Sequence, residues 1–207
     1  KLQFPLAPRA EQERIVAAIE EQLSRLDAAE RSLRYARAKI GPLRDSAISS
    51  ALRPDWPAAP LSSLVREPLR NGHSAKAAPG GSVRTLTLTA VTVGDFSETN
   101  TKLTAADPDR VKHLWLEPGD VFIERSNTPE LVGTAALYRG PRNWAIFPDL
   151  LIRVRVADAL LPEFLDIVLK SRRVRRYFQT SAQGIAGSMP KVDQSVGDED
   201  FLLALHS

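Results

Sequence analysis

From Arg9 the apolar residues recur at Ile15, Ile19, Leu23, Leu26, Leu33, Ile40, Leu43 and Ala47. Most steps are three, four or seven residues, the spacing of a coiled-coil seam. Glu, Gln, Arg and Ala fill most positions between and favour helix. Glu30 and Arg37 fall near the seam, where charge lowers stability but can fix register or partner. Gly41-Pro42 interrupts the run and predicts a kink or break, because Pro removes one backbone hydrogen bond. The pattern then resumes to Leu52 and stops at Arg53-Pro54-Asp55-Trp56-Pro57. A rod of roughly 40 residues would be about 60 Å long. It is too thin to bury its own stripe, so Ile15, Ile19, Leu23, Leu26, Leu33 and Ile40 are candidates for contact with a second helix. Two ordinary helices packed on the protein's own globular part are the alternative.

Beyond Trp56 the pattern changes to short strands and turns. Val83 to Val93 is Thr-rich and β-branched and predicts a strand. Leu116 to Asp120 reads as a turn into a strand at Val121-Phe122-Ile123. Thr134 to Tyr138 predicts another strand, and Trp144 to Val156 one or two more, broken at Pro148-Asp149. Closely spaced turns suggest a curled antiparallel or mixed sheet. A helix is predicted from Leu161, with Pro162 in its first turn. Its apolar face would hold Phe164, Ile167, Val168, Val174 and Phe178. Lys170, Arg173 and Arg176 would form a basic stripe opposite, with Arg172 at the flank. Such a stripe is either a phosphate-binding surface or simply a solvated face. Gln183 to Pro190, with Gly184, Gly187 and Ser188, reads as a small-residue loop able to follow a phosphate backbone, or as a connector. The fold class expected is α+β: a long coiled-coil helix over 1–52, a linker over 53–57, a mixed domain with a curled sheet over 58–192, and an atypical tail, open to disorder, over 193–207.

Composition narrows the chemistry. The chain has 207 residues, 43% apolar and 26% charged, which is ordinary for a soluble protein. It has no Cys and three scattered His, which removes disulfides, thiolate nucleophiles and Cys-ligated zinc and disfavours a His-ligated metal. No apolar run approaches the roughly 20 residues of a membrane span, and a cytoplasmic location is expected. The net charge is only +3, from 28 basic and 25 acidic residues, so any DNA-binding charge must be local. Asp120 and Glu124 invite a metal-dependent nuclease reading, but Ser126 stands where a common pattern has Lys. There is no Gly-Lys-Ser/Thr phosphate loop and no Asn/Asp-Pro-Pro methyltransferase signature. No catalytic residue and no cofactor are therefore assigned.

The segment Pro5-Leu6-Ala7-Pro8-Arg9-Ala10-Glu11-Gln12-Glu13-Arg14-Ile15-Val16 is similar to the motif opening the conserved helices of type I restriction–modification specificity subunits. Leu26-Asp27 and Leu43 to Ile48 continue the resemblance. So do Leu116 to Asn127, Glu130 to Gly133, Asp149 to Arg153 and Gly184 to Lys191, which resemble that family's target-recognition domain. The resemblance implies a non-catalytic subunit that reads half of a bipartite DNA site and docks methyltransferase and restriction subunits. The family has two recognition domains and paired helices; this chain has one of each and begins at Lys1, so it reads as a C-terminal portion. The coiled coil would then pair with another copy or with the missing half. Arg125, Ser126, Asn127, Gln183 and Ser188 are candidates for base contact, because Arg suits guanine and Asn or Gln suit adenine. Lys170, Arg173, Arg176 and Lys191 are the candidates for backbone contact. A coiled-coil assembly module carrying a protein-binding domain, without DNA recognition, is the competing reading.

Overall fold

A computed structural model describes residues 6–51 and 59–181. The chain divides into two compact units, Lys1–Ser50 and Ala51–Ser207. Helix α1, which makes up most of the first, runs over Arg9–Ala51, 43 residues. It opens on the Pro8 carbonyl, which accepts from the Glu11 and Gln12 backbone N–H groups. Pro42 lies inside the helix rather than ending it. The missing N–H costs one bond within one turn, and helix-forming residues on both sides carry the helix across. Side-chain ion pairs Glu21–Arg25 and Glu30–Arg34 line the surface at helical spacing. The seam residues are uncovered: Ile15 is 42% exposed, Leu26 66% and Leu33 71%.

The second unit is built on a four-stranded antiparallel sheet. In chain order its elements are β1 (Arg70–Asn71), β2 (Val83–Leu86), α2 (Leu88–Val93), β3 (Thr101–Thr104), β4 (Val121–Glu124), β5 (Ala135–Leu137), β6 (Leu151–Val154), α3 (Pro162–Leu169) and α4 (Arg172–Ser181). The sheet order is β1-β6-β4-β5, and β2 with β3 form a separate ribbon. Central β4 pairs with both neighbours, Ile123 facing Ala135 on one side and Ile152 on the other. It is buried throughout, which explains its unbroken Val-Phe-Ile run. Successive side chains enter different cores. Val121 and Ile123 join Ile152, Val154, Leu165, Val168, Val174 and Phe178. Phe122 joins Leu86, Val91, Tyr138, Phe147 and Leu151.

Two expected elements divide. Val83 to Val93 is not one strand: it pairs only through Leu86, and Leu88–Val93 is helical. The left-handed Gly94, φ 70°, closes that helix by donating its N–H to the Val91 carbonyl. Burial of Ala90 and Val91 outweighs the small helix penalty of β-branched residues. The helix expected from Leu161 also breaks, at Lys170-Ser171, where the Ser171 hydroxyl accepts from the Val174 N–H. The break resets the helical phase. Leu165, Val168 and Leu169 are buried, whereas Phe164 and Ile167, expected inside, are 38% and 46% exposed.

The most demanding residues of the sheet are two arginines on β6 and just after it. The Arg155 guanidinium donates from Nε to Asp120 Oδ1 at 2.6 Å and from Nη2 to Oδ2 at 3.1 Å. Arg153 donates to Glu67 at 2.8 Å and to the His113 and Trp115 carbonyls, and lies over the Phe147 ring at 5.1 Å. Asp120 is fully buried and also accepts the Glu117 N–H, so the same carboxylate closes the turn that starts β4. Glu117 is shared by Arg66, Arg142 and Arg155. Burial works against its carboxylate, but these arginines hold its pKa below the ordinary value. Tyr138 is pushed up to about 12 by burial and by the negative charge of Asp120.

Removing Asp120 takes the bidentate partner from buried Arg155 and leaves it only the longer carboxylate contacts to Glu117 and Glu67, at 3.4 and 3.6 Å. Asp120→Ala should therefore destabilise the domain by about 3–5 kcal/mol, read as a lower urea midpoint at constant slope. A loss below about 1 kcal/mol would mean that Arg155 finds water or another acceptor.

Candidate nucleic-acid interface

Helix α4 reads Arg-Arg-Val-Arg-Arg-Tyr-Phe-Gln-Thr-Ser and carries no acidic residue. At 100° per residue, Val174 and Phe178 form its inner face, and both are buried. Arg172, Arg173, Arg176, Gln179 and Thr180 form a continuous outer face, and all are exposed. Arg175 sits at the border and is half-buried. Its Nη1 donates to the Val132 carbonyl at 2.8 Å and its Nη2 to the Glu130 carbonyl at 2.7 Å. Gln179 Nε2 donates to the same Glu130 carbonyl at 3.2 Å. The helix thus holds the backbone of the loop between β4 and β5 with side chains from one edge of its basic face.

That loop, residues 125–134, is fixed from below as well. Glu124, fully buried at the end of β4, accepts from the Thr92 hydroxyl of α2 at 2.5 Å and from Asn127 Nδ2. Asn127 Oδ1 accepts the Thr128 N–H. Gly133 returns the chain to β5 with φ 75° and donates its N–H to the Glu124 carbonyl. A Cβ at Gly133 would lie 2.3 Å from Phe178 Cβ, so only glycine lets α4 approach this closely. Burial raises the Glu124 pKa, against the opposing effects of Thr92, Asn127 and Arg175. Burial lowers that of Arg175, with Glu124 opposing.

The structure redistributes the residues singled out in the sequence. Arg173 and Arg176 lie on the α4 face. Lys170 does not: the break puts it at the end of α3, where it pairs with Asp166 at 2.7 Å. Arg125 is half-buried at the root of the loop. Ser126 is 1% exposed and faces inward. Asn127 spends both ends of its amide on the loop's own frame. Gln183, Ser188 and Lys191 lie outside the described residues. Arg172, expected only at the flank, completes the face, and Arg175, Gln179 and Glu124 are not among the residues expected in this role. Arg175 follows Val174 and precedes Phe178, a position bordering the apolar face, and that is the signal that could have marked it as inward-reaching. Among the described residues no cluster of three His, Cys, Asp or Glu could hold a metal, and no helix is long and apolar enough to cross a membrane.

No family model and no curated protein matches the chain. Solved structures do. A chain from a structure concerned with complex assembly and conformational transition of the type I R-M system matches 93% of this one, with a TM-score of 0.62 and 18% identity. The HsdS subunit from Thermoanaerobacter tengcongensis matches over 98%, with a TM-score of 0.51 and 19% identity. The chain shares the fold of HsdS subunits. It spans about half the length of these chains, 46% and 51%. One long helix and one α+β domain account for the described residues.

The Glu124 carboxyl generates a prediction about pH. Its folded pKa lies above the ordinary carboxylate value of 4.5, so the folded state holds this proton more tightly than the unfolded state. Its contribution to stability is therefore full below that value and is lost as pH rises through the raised one. Urea unfolding across this window should show Glu124→Gln with a flatter pH dependence than the parent chain. Parallel curves for the two would show that Glu124 keeps an ordinary pKa.

Proposed function

We propose that this chain is a DNA-recognition module of a type I restriction–modification complex, reading one half of a bipartite site and performing no chemistry itself. The observation that carries the reading is the acid-free outer face of α4, with Arg172, Arg173 and Arg176 exposed beside a loop held at both its backbone and its base. Three arginines within about one helical turn suit phosphate oxygens, which position a protein on duplex DNA without distinguishing sequence. The clamped loop beside them is a rigid support from which side chains can enter a groove. The HsdS fold favours this reading over a protein-binding domain on a coiled coil. With it come duplex DNA, methyltransferase and restriction subunits as partners, and a cytoplasmic location.

The bare seam of α1 fits the assembly role. A helix with Ile19 and Leu23 more than half exposed gains by covering them with another helix, from a second copy or from the other half of a longer subunit. Methyltransferase docking is assigned to this helix for the same reason.

Two measurements test the proposal. Affinity for a random-sequence duplex should fall steeply with salt, and Arg173→Ala should weaken binding to every duplex while reducing the slope of log K against log salt by about 0.9. An unchanged slope would make the α4 face a solvated surface and remove the main support for DNA binding. Leu26→Glu would bury a carboxylate in the assembled seam at a cost of several kcal/mol. Light scattering should then report a smaller species, with the circular dichroism of the α+β domain preserved; an unchanged mass would show that the seam is not the contact.

A further inference from the structure

The border of the α4 face carries one group of the wrong sign for a phosphate surface. Glu130 is exposed at the tip of the 125–134 loop. Its carbonyl is the acceptor shared by Arg175 and Gln179, so its backbone is fixed to the same helix that presents Arg172 and Arg176. Its own backbone N–H and the Thr128 side chain favour its carboxylate and hold its pKa below the ordinary value. As an exposed carboxylate it is ionised at neutral pH. Beside a polyanion an ionised carboxylate weakens binding unless it meets a donor. Duplex DNA offers acceptors almost everywhere on the phosphates and in the grooves. The donors in the major groove are the exocyclic amino groups of cytosine N4 and adenine N6.

We propose that Glu130 is a specificity-determining residue, accepting a hydrogen bond from the exocyclic amino group of a cytosine or adenine in the major groove. The inference rests on the DNA-binding reading of α4. The arginines supply attraction to any duplex. Glu130 turns that attraction into a choice, because an acceptor-only group is repelled by guanine O6 and N7 and by thymine O4. The clamp at its carbonyl lets it do so at low ordering cost.

The test uses the full chain and a random-sequence duplex pool, from which the parent protein selects its preferred site. At one position the selected pool should require cytosine or adenine. Glu130→Ala should weaken the selected duplex by roughly 5- to 150-fold, relax that one position, and leave random duplex bound as tightly or more tightly. Glu130→Gln keeps an acceptor and adds a donor, so it should still bind cytosine or adenine there and newly tolerate guanine or thymine. A residue that merely holds the loop would weaken both duplexes together. Parallel weakening of the two duplexes, or an unchanged preference at every position, overturns the assignment while leaving DNA binding intact. Failure of the parent chain to bind any duplex in a salt-dependent way removes the DNA-binding reading and this inference together.

Discussion

The domain depends on a bidentate ion pair in its interior. Arg155 could not be placed in a sheet core unless Asp120 met it with both oxygens. Asp120 in turn reaches it only if the Leu116 to Asp120 turn is closed, which the same carboxylate accomplishes through the Glu117 N–H. Turn, strand start and neighbouring strand are thus one unit. A one-residue slip of β6 against β4 would carry both arginines to the opposite face of the sheet, among Leu165, Val168 and Phe178 and away from Asp120 and Glu67. Buried ion pairs often add little net stability relative to apolar residues of equal size. Here the pair serves register: it makes the wrong pairing of short strands far worse than the right one.

A second chain of dependence runs from the sheet to the surface. Glu124 ends β4, Asn127 hangs from it, and the loop returns at Gly133, against which Phe178 packs. Arg175 and Gln179 then tie the loop to α4. The outer face of α4 and the loop tip consequently share one frame, although they are more than 40 residues apart in sequence.

What was legible in the sequence follows from range. The heptad stripe of α1 is a local, repeated signal, and a helix long enough to contain Ile15 through Ala47 was evident despite Pro42. The strands at Val121 and Ala135 were equally clear, because apolar runs bounded by turns leave few alternatives. Two elements were misread where one residue decided the outcome. Gly94 and the burial of Ala90 and Val91 make a helix of a β-branched segment, and Ser171 restarts a helix in mid-pattern. Both decisions are local caps embedded in a stronger periodic signal. The surface was legible in part. Arg173 and Arg176 could be placed from spacing alone. The roles of Arg175 and Asn127 could not, because their partners are backbone carbonyls and a buried carboxylate that no spacing rule brings together.

The clamp on the loop has a consequence for how such a protein can change. Arg175 and Gln179 grip carbonyl oxygens at residues 130 to 132, and every amino acid has a carbonyl oxygen. Side chains at 128, 130 and 131 can therefore be exchanged without loosening the grip that positions them. Variation and foldability are separated along the same few residues. A lineage can try new chemistry at the tip one substitution at a time, and each trial inherits a loop already in place.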